Sequence, residues 1–323
     1  MKIMKINIIA LSLLSLLSFG SCSQTDRTIA FYNIENLFDT INSPSTNDSE
    51  YLPNASKKWD SGKYFEKIKH INEVVAKLNS PIILGLCEIE NEQVVRDVVQ
   101  GGPMKDHYGV VHFQSLDKRG IDNAIIYDSS LLKLTSKGIV RFDMPEGFTP
   151  SRDIVWAKFK NKDTEILTMV NHWPSRSGGQ VISEPKRLVA AVAARTFIDS
   201  VLSASPDMNI VFMGDLNDYP DNIAPKMISS TLKPMITAKS GEFGGSYNYR
   251  GEWNILDHIM ISSKFSKNKN SISVIKNSGK IHSYDFILST YKGNIVPFRT
   301  FGGKEYLAGY SDHLPVTIGI KIK

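Results

Sequence analysis

The sequence predicts an α/β fold with more strands than one doubly wound sheet requires, and three observations lead there. Nine short runs of apolar, β-branched residues recur along the chain, each closed by a polar turn. Only three stretches carry the spacing of an amphipathic helix. No internal repeat and no linker-like segment divides them, so one domain over residues 28–323 is expected.

In chain order, residues 1–21 are set aside. Lys2 and Lys5 precede an apolar stretch over 8–17 and then small residues, the layout of a secretory signal. That stretch is shorter than the roughly 18 to 20 residues of a spanning helix, and no later segment reaches that length, so the mature chain is expected to be soluble. Leu17-Ser18-Phe19-Gly20-Ser21-Cys22 resembles a bacterial lipobox, which implies a lipid-modified Cys22, a polar tether over 22–27 and an exported chain. Phe19 departs from the small or aliphatic residue usual at its place, so ordinary cleavage stands beside lipidation. A diacylated Cys22 would bury many methylenes at about 0.8 kcal/mol each, a durable hold on a membrane at the periplasmic or cell-surface side.

The strand-like runs are 28–32, 81–87, 109–113, 123–127, 154–159, 165–170, 209–213, 256–261 and 315–320. Helices are expected over 64–78, 91–99 and the Ala-rich 183–201. Residues 41–62, rich in Ser, Asn, Pro and Lys, read as an exposed loop. Residues 264–310 are dense in Lys, Asn, Gly and Ser and lack strong periodicity. They read as a long excursion between the last two strands, carrying His282, Arg299 and Tyr306, that either shapes substrate choice or decorates the surface.

The formal charge is +5, and removing Lys2 and Lys5 leaves +3. That suits an anionic substrate but is far from a polybasic tail. The two cysteines are Cys22 and Cys87, so a lipidated Cys22 leaves no disulfide and the fold rests on its core.

Polar residues sit where the apolar runs end. Asn33 follows 29–32, Glu88 follows 82–87, Asn171 and His172 follow 167–170, and Asp215 follows 211–214. Any one of them alone reads as a turn former. Four together read as strand ends converging on one rim. Glu88 is flanked by apolar residues, and a buried carboxylate has to be paired or hold a cation. Oxygen ligands with few His and no Cys favour Mg2+, with Mn2+ or Ca2+ as alternatives, over Zn2+. Glu90 and Glu92 also read as solvated helix-start acids. Asp215 and Asn217 lie two residues apart, on one side of an extended chain, so that one can orient a water while the other meets a phosphate oxygen. His313 opens the last run, and Asp257 is available to bond its second ring nitrogen.

Taken in order, N-I-E (33–35), L-C-E (86–88), N-H-W (171–173), G-D-x-N (214–217), L-D-H-I (256–259) and S-D-H-x-P-V (311–316) resemble the endonuclease/exonuclease/phosphatase family over about residues 28–320. The strings N-H-W-P-S-R-S-G-G (171–179) and K-R-G-I-D (118–122) resemble its exported bacterial nuclease-type branch. The resemblance implies a DNase I-like four-layer α-β-β-α sandwich of two mixed β-sheets with the site at one rim. It implies Glu88 as chief metal ligand with Asn33 and Asp312 near the ion, and Asp215 and Asn217 handling water and phosphate. His313, oriented by Asp257, would be general base or electrostatic stabiliser. His172 would donate to a phosphate oxygen, with Asp122 orienting it. His258 stands where many relatives carry an aromatic or aliphatic residue, and reads as a packed strand residue.

Lys118, Arg119, Trp173, Arg176, Arg187, Tyr247, Tyr249, Arg250 and Trp253 cluster in sequence around these motifs. Arg119, Asn171, Arg176 and Arg187 are the expected substrate-binding residues, because Arg forks on phosphate and aromatic faces suit a nucleic acid. The expected activity is therefore extracytoplasmic, Mg2+-dependent hydrolysis of nucleic-acid phosphodiesters. A phosphatase or phospholipid phosphodiesterase of the same family is the second reading, although no Trp-Thr-Asp-Arg string of inositol polyphosphate phosphatases is present. A non-catalytic surface lipoprotein is the third, and it would be marked by lost metal or His ligands. No protein partner is inferable.

Overall fold

Two βαβ crossovers organise the chain. In a computed structural model, residues 26–267 and 270–323 are described; the expected signal segment 1–21 and Cys22 lie outside them. The first part runs β1 (Asp26–Leu37), α1 (Ser61–Lys77), β2 (Pro81–Ile89), α2 (Glu92–Gln100), β3 (Tyr108–His112), β4 (Asp122–Asp128), β5 (Lys133–Val140), β6 (Ile154–Asn161), β7 (Thr164–His172), α3 (Gln180–Ala204), β8 (Asn209–Asp215) and α4 (Ile223–Ser229). The second adds β9 (Lys233–Pro234), the hairpin β10 (Tyr247–Tyr249) and β11 (Glu252–Asn254), β12 (Asp257–Ile261), β13 (Ile272–Val274), β14 (Lys280–Ile281), the hairpin β15 (Leu288–Tyr291) and β16 (Asn294–Pro297), the hairpin β17 (Phe301–Gly302) and β18 (Glu305–Tyr306), and β19 (Val316–Ile322).

One sheet has the order β13-β19-β1-β2-β4-β3, with β14 also on β19; the other has the order β5-β6-β7-β8-β12-β9. β1 pairs parallel with β2, and β7 with β8; the remaining ladders are antiparallel. A parallel pair needs a long crossover, which α1 and α3 supply. The sheets face each other through β1 and β2 against β7, β8 and β12. Helices α1 and α2 cover the first sheet and α3 and α4 the second, giving the four layers of a DNase I-like sandwich.

Strand β8 explains why the pattern is legible. Val211 and Met213 face the other sheet, while Ile210 and Phe212 pack under Ala190, Ala191, Ala194 and Ile198 of α3. Both faces are covered, so the strand reads as a continuous apolar run. Helix α1 is started by Asp60, whose side chain accepts from Lys63 N, and α2 by Asn91, which accepts from Val94 N at 3.0 Å. Residues Tyr64, Ile68, Ile71, Val74 and Val75 make the buried stripe of α1. No helix among the described residues is long and apolar enough to cross a membrane.

Four parts of the chain depart from the expectation. β5, an exposed edge strand with Lys133 and Lys137, has no apolar run to betray it. Helix α3 begins before Ser183 and holds Pro185 inside it, while the short α4 carries no clear periodicity. Residues 264–310 are more than an excursion: β13 and β14 pair with β19 and so extend the first sheet.

The sheets approach closely at Gly85, where an added Cβ would lie 2.7 Å from Met213 Sδ and 2.9 Å from Val170 Cγ2. Gly85→Val should therefore lower unfolding free energy by about 1–3 kcal/mol through overpacking, measured by urea denaturation. An unchanged midpoint would mean that the sheets yield there.

Candidate active site

Strand direction brings the polar ends together. The C-terminal ends of β1 and β2 share one edge, as do those of β7 and β8. β12 runs back along β8 with Asp257 opposite Asp215, and β19 runs back along β1 with Val316 opposite Phe31. Six strand ends thus open on one rim. The seam between the sheets is closed by Asn33 Nδ2, which donates to Asp215 Oδ2 at 3.1 Å and to Glu88 Oε1 at 3.3 Å.

Backbone irregularities aim these groups. The ladders slip on both sides of Glu88, whose φ is +65°, and its Oε2 accepts Asn36 N at 2.9 Å. Asn217 has φ +49° and donates its N–H to Asp215 Oδ1 at 2.8 Å. Residue 214 has to be glycine, because a Cβ there would fall 2.2 Å from the carbonyl oxygen of Asn171.

Asp215 is buried, with His172 Nε2 at 3.6 Å and His313 Nε2 at 3.7 Å from its Oδ2. Burial pushes its pKa up to about 7, against the His313 charge and with the Asp257 and Glu88 carboxylates. His313 Nδ1 meets Asp257 Oδ2 at 2.8 Å. Burial disfavours the imidazolium, but Asp257 and Asp215 outweigh it and hold His313 well above the usual histidine range. The backbone N–H of His313 donates to Ser311 Oγ, which in turn donates to the carbonyl of Asn33, and the imidazole ring lies 4.8 Å from the ring of Tyr247. His172 shifts the opposite way: burial, then the charges of Arg152, Arg119 and His313, hold it well below the usual range. It is neutral, and its Nδ1 is buried without a hydrogen-bond partner.

Several expected site residues hold other positions. Asn33 donates through Nδ2 to Asp215 and Glu88, and its Oδ1 accepts Glu35 N at 3.0 Å. Asn171 is fully buried, its amide donating to Met213 O and accepting from Trp173 Nε1. Arg187 is fully buried too, locked by Asp218, Ser183 and Gln180 as a structural cation. Asn217 Nδ2 donates to Trp173 O at 3.0 Å, so its amide fixes the rim loop. Asp122 orients His112 at 3.0 Å, not His172. His258 packs in β12 against Asp218 O. Arg119 and Arg176 are accessible, the first beside Asp117 and the second over the ring of Tyr219 at 4.1 Å.

Other residues of the rim had no expected role. Glu35, on the third position of N-I-E, accepts Thr300 N at 2.6 Å and faces Arg299 Nε at 3.3 Å. Arg299 also reaches Asp312 at 3.0 Å. Burial and the Asp312 charge push Glu35 up to about 7, against Lys67 and Arg299. Lys67 is buried under the rim, on Thr300 Oγ1 and Tyr310 O, and burial brings its pKa down to about 8. A Lys among the apolar positions Tyr64, Ile68 and Ile71 is the sequence signal that would have found it.

The donor set fits a hard divalent cation. Glu35, Glu88, Asp215, Asp257 and Asp312 share the rim, and two of them are raised to about 7 by burial and by one another. Such crowding is relieved by a cation, and oxygen donors suit Mg2+, Mn2+ or Ca2+. Asp215, Asp257 and His313 also form a buried cluster at metal-ligand spacing. Within that cluster His313 Nδ1 is already bonded to Asp257 Oδ2.

Comparison with known proteins agrees with this architecture. The sequence profile described as Endonuclease/Exonuclease/phosphatase family matches residues 28–322. No curated protein is matched by the sequence. Among solved structures, an endonuclease/exonuclease/phosphatase family protein from Bacteroides thetaiotaomicron aligns with TM-score 0.59 and 17% identity, over 93% of this chain and 99% of that one. A mannosyl-6-phosphatase of the same organism gives 0.59 and 18%, over 91% and 99%. The human Nocturnin catalytic domain with bound sulfate gives 0.56 and 13%, over 93% and 96%. At such identities the structures share the fold. With the profile covering nearly the whole described chain, the protein belongs to the endonuclease/exonuclease/phosphatase family.

The His313–Asp257 pair carries a pH signature. Because the folded pKa of His313 lies above the unfolded value of about 6.5, its stabilisation is complete below that value and is lost as pH rises through the folded pKa. Asp257→Asn should cost roughly 3 kcal/mol at pH 6, with the gap to wild type narrowing as pH rises. Melting curves from pH 5.5 to 9 check this, and a pH-independent gap would contradict a charged pair.

Proposed function

We propose that this member of the endonuclease/exonuclease/phosphatase family is an exported, divalent-metal-dependent phosphodiesterase acting on nucleic acid. One observation carries the reading. Buried Asp215, poised near neutrality, lies between a neutral imidazole, His172, and a protonated one, His313, beside the carboxylate of Glu88.

Glu88, with Asp312, would hold the ion, which when bound supplies positive charge against a phosphoryl oxygen. Asp215 takes the proton of the attacking water, since a base with a pKa about 7 is half available at neutral pH. Asn33 and Asn217 N–H hold its carboxylate in place. His313, charged by Asp257, stabilises the developing negative charge and is a poor candidate for the base because its proton is tightly held. His172 offers a neutral N–H. Phosphodiesters resist attack by repelling nucleophiles, and this division of labour answers that resistance.

The accessible cations Arg119 and Arg176 favour a polyanionic substrate over an isolated monoester. The signal-like residues 1–21 and the lipobox-like Cys22 support export with anchorage at a membrane. A second reading, a phosphomonoesterase, is favoured by the fold shared with the mannosyl-6-phosphatase.

The chain from residue 23 onward, assayed with Mg2+ on plasmid DNA, RNA, phospholipids and small monoesters, should cleave nucleic acid and lose that activity with EDTA. His313→Ala should lower the rate by about 10²–10³-fold. Cleavage confined to monoesters or phospholipids would move the substrate to the second reading. Glu88→Gln should abolish metal-dependent hydrolysis, and an undiminished rate would remove Glu88 from the metal site.

A further inference from the structure

Beside the reaction centre lies a cavity of about 270 Å3 between the turn at 117–119 and the loop at 144–152. Its wall carries four cations, Lys118, Arg119, Arg152 and Lys186, against one carboxylate, Asp117. That carboxylate is already engaged, by Arg152 at 3.0 Å and Arg119 at 3.3 Å. Lys118 and Lys186 have no ion pair among the described residues, and Lys186 Nζ stands 5.0 Å over the half-exposed ring of Phe148. Cations without a carboxylate partner, gathered in one hollow, call for an anion.

The hollow and the reaction centre share a partition. Arg152, buried, donates to Trp173 O at 2.8 Å, and the same carbonyl accepts Asn217 Nδ2 from the catalytic side. Trp173 follows His172, and the next two residues, Pro174 and Ser175, line the cavity. The charges of Arg152 and Arg119 also reach His172. A group bound in the hollow is therefore held next to the ester being cleaved.

We propose that this cavity binds a second phosphate of the same nucleic-acid strand, neighbouring the scissile one, with Lys118 and Lys186 as its specificity-determining cations and Phe148 as a face for the attached base. The inference rests on the phosphodiesterase reading above and narrows it. A strand repeats its phosphate at every nucleotide, so one charge can be cleaved while the next is gripped, and exposed aromatics beside cations suit single-stranded segments. Free phosphate monoesters and simple diesters lack the second charge and would gain nothing from the hollow.

The test compares a dinucleoside monophosphate with the same dinucleotide bearing one additional terminal phosphate, with bis(p-nitrophenyl) phosphate as the single-phosphate reference. The additional phosphate should raise kcat/KM at least about tenfold, mainly through KM, and Lys118→Ala/Lys186→Ala should collapse that ratio toward one. A ratio near one in the wild-type protein, or one that survives the double substitution, would overturn the proposal. Calorimetric binding of a 5′-phosphorylated oligothymidylate to the EDTA-treated protein reads the hollow without turnover. Affinity lowered at least about tenfold in the double variant supports the assignment even if bis(p-nitrophenyl) phosphate is not cleaved, which would count against the phosphodiesterase reading alone. Equal affinity in the two proteins overturns it. Sugar and lipid bisphosphates serve as further arms, and a preference for one of them over the oligonucleotide would also overturn the choice of strand.

Discussion

Burying Asp215 where two sheets meet makes demands on both of them. One oxygen accepts the N–H of Asn217 from its own loop, and the other accepts Asn33 from across the seam. Without those bonds an ionised carboxylate in so dry a place would be costly. The bonds in turn require β1 and β8 to end at the same level. They also need a left-handed Asn217 and a side-chain-free residue 214 that lets β8 press against the Asn171 carbonyl. The sandwich can be understood as the frame that holds this carboxylate between two histidines.

Those histidines are chemically unlike although both are buried. His313 has Asp257 at hydrogen-bond distance and stays charged, whereas His172 has no partner at Nδ1 and feels three positive charges. Environment alone separates them, and separation of pKa values within one site is the usual physical mark of assigned acid and base roles. The same logic places Asp215 and Glu35 near neutrality, where a bound cation or a small change in pH alters their charge.

The segment 264–310, which the sequence left between shaping substrate choice and decorating the surface, contributes to the rim. Arg299 bridges Glu35 and Asp312, Thr300 bonds Glu35 and Lys67, and Tyr310 O closes over Lys67. His282, held between Thr317 and Tyr284, anchors the segment to the last strand. These cations offset part of the negative charge that the strand ends concentrate. They also distinguish this rim from one built of carboxylates alone.

The sequence by itself determined the class of the fold, the central strands and the identity of the groups at their ends. Strands covered on both faces are apolar throughout, as in 209–213, and the polar residue that ends each run is conspicuous. The family resemblance of its motifs implied Asp257 as the acid that orients His313, and the two side chains meet at 2.8 Å. Only the tertiary structure decided which polar residues serve the site and which serve the frame. Arg187 and Arg119 look alike in a string of letters, yet one is locked inside by Asp218 and the other stands in the open. Asn33 and Asn171 carry the same amide, and which end of it faces the rim depends on neighbours far away in sequence. Edge strand β5 and the reach of Arg299 were hidden for the same reason: local pattern records burial along one segment, while long-range pairing arises only when the chain has closed on itself.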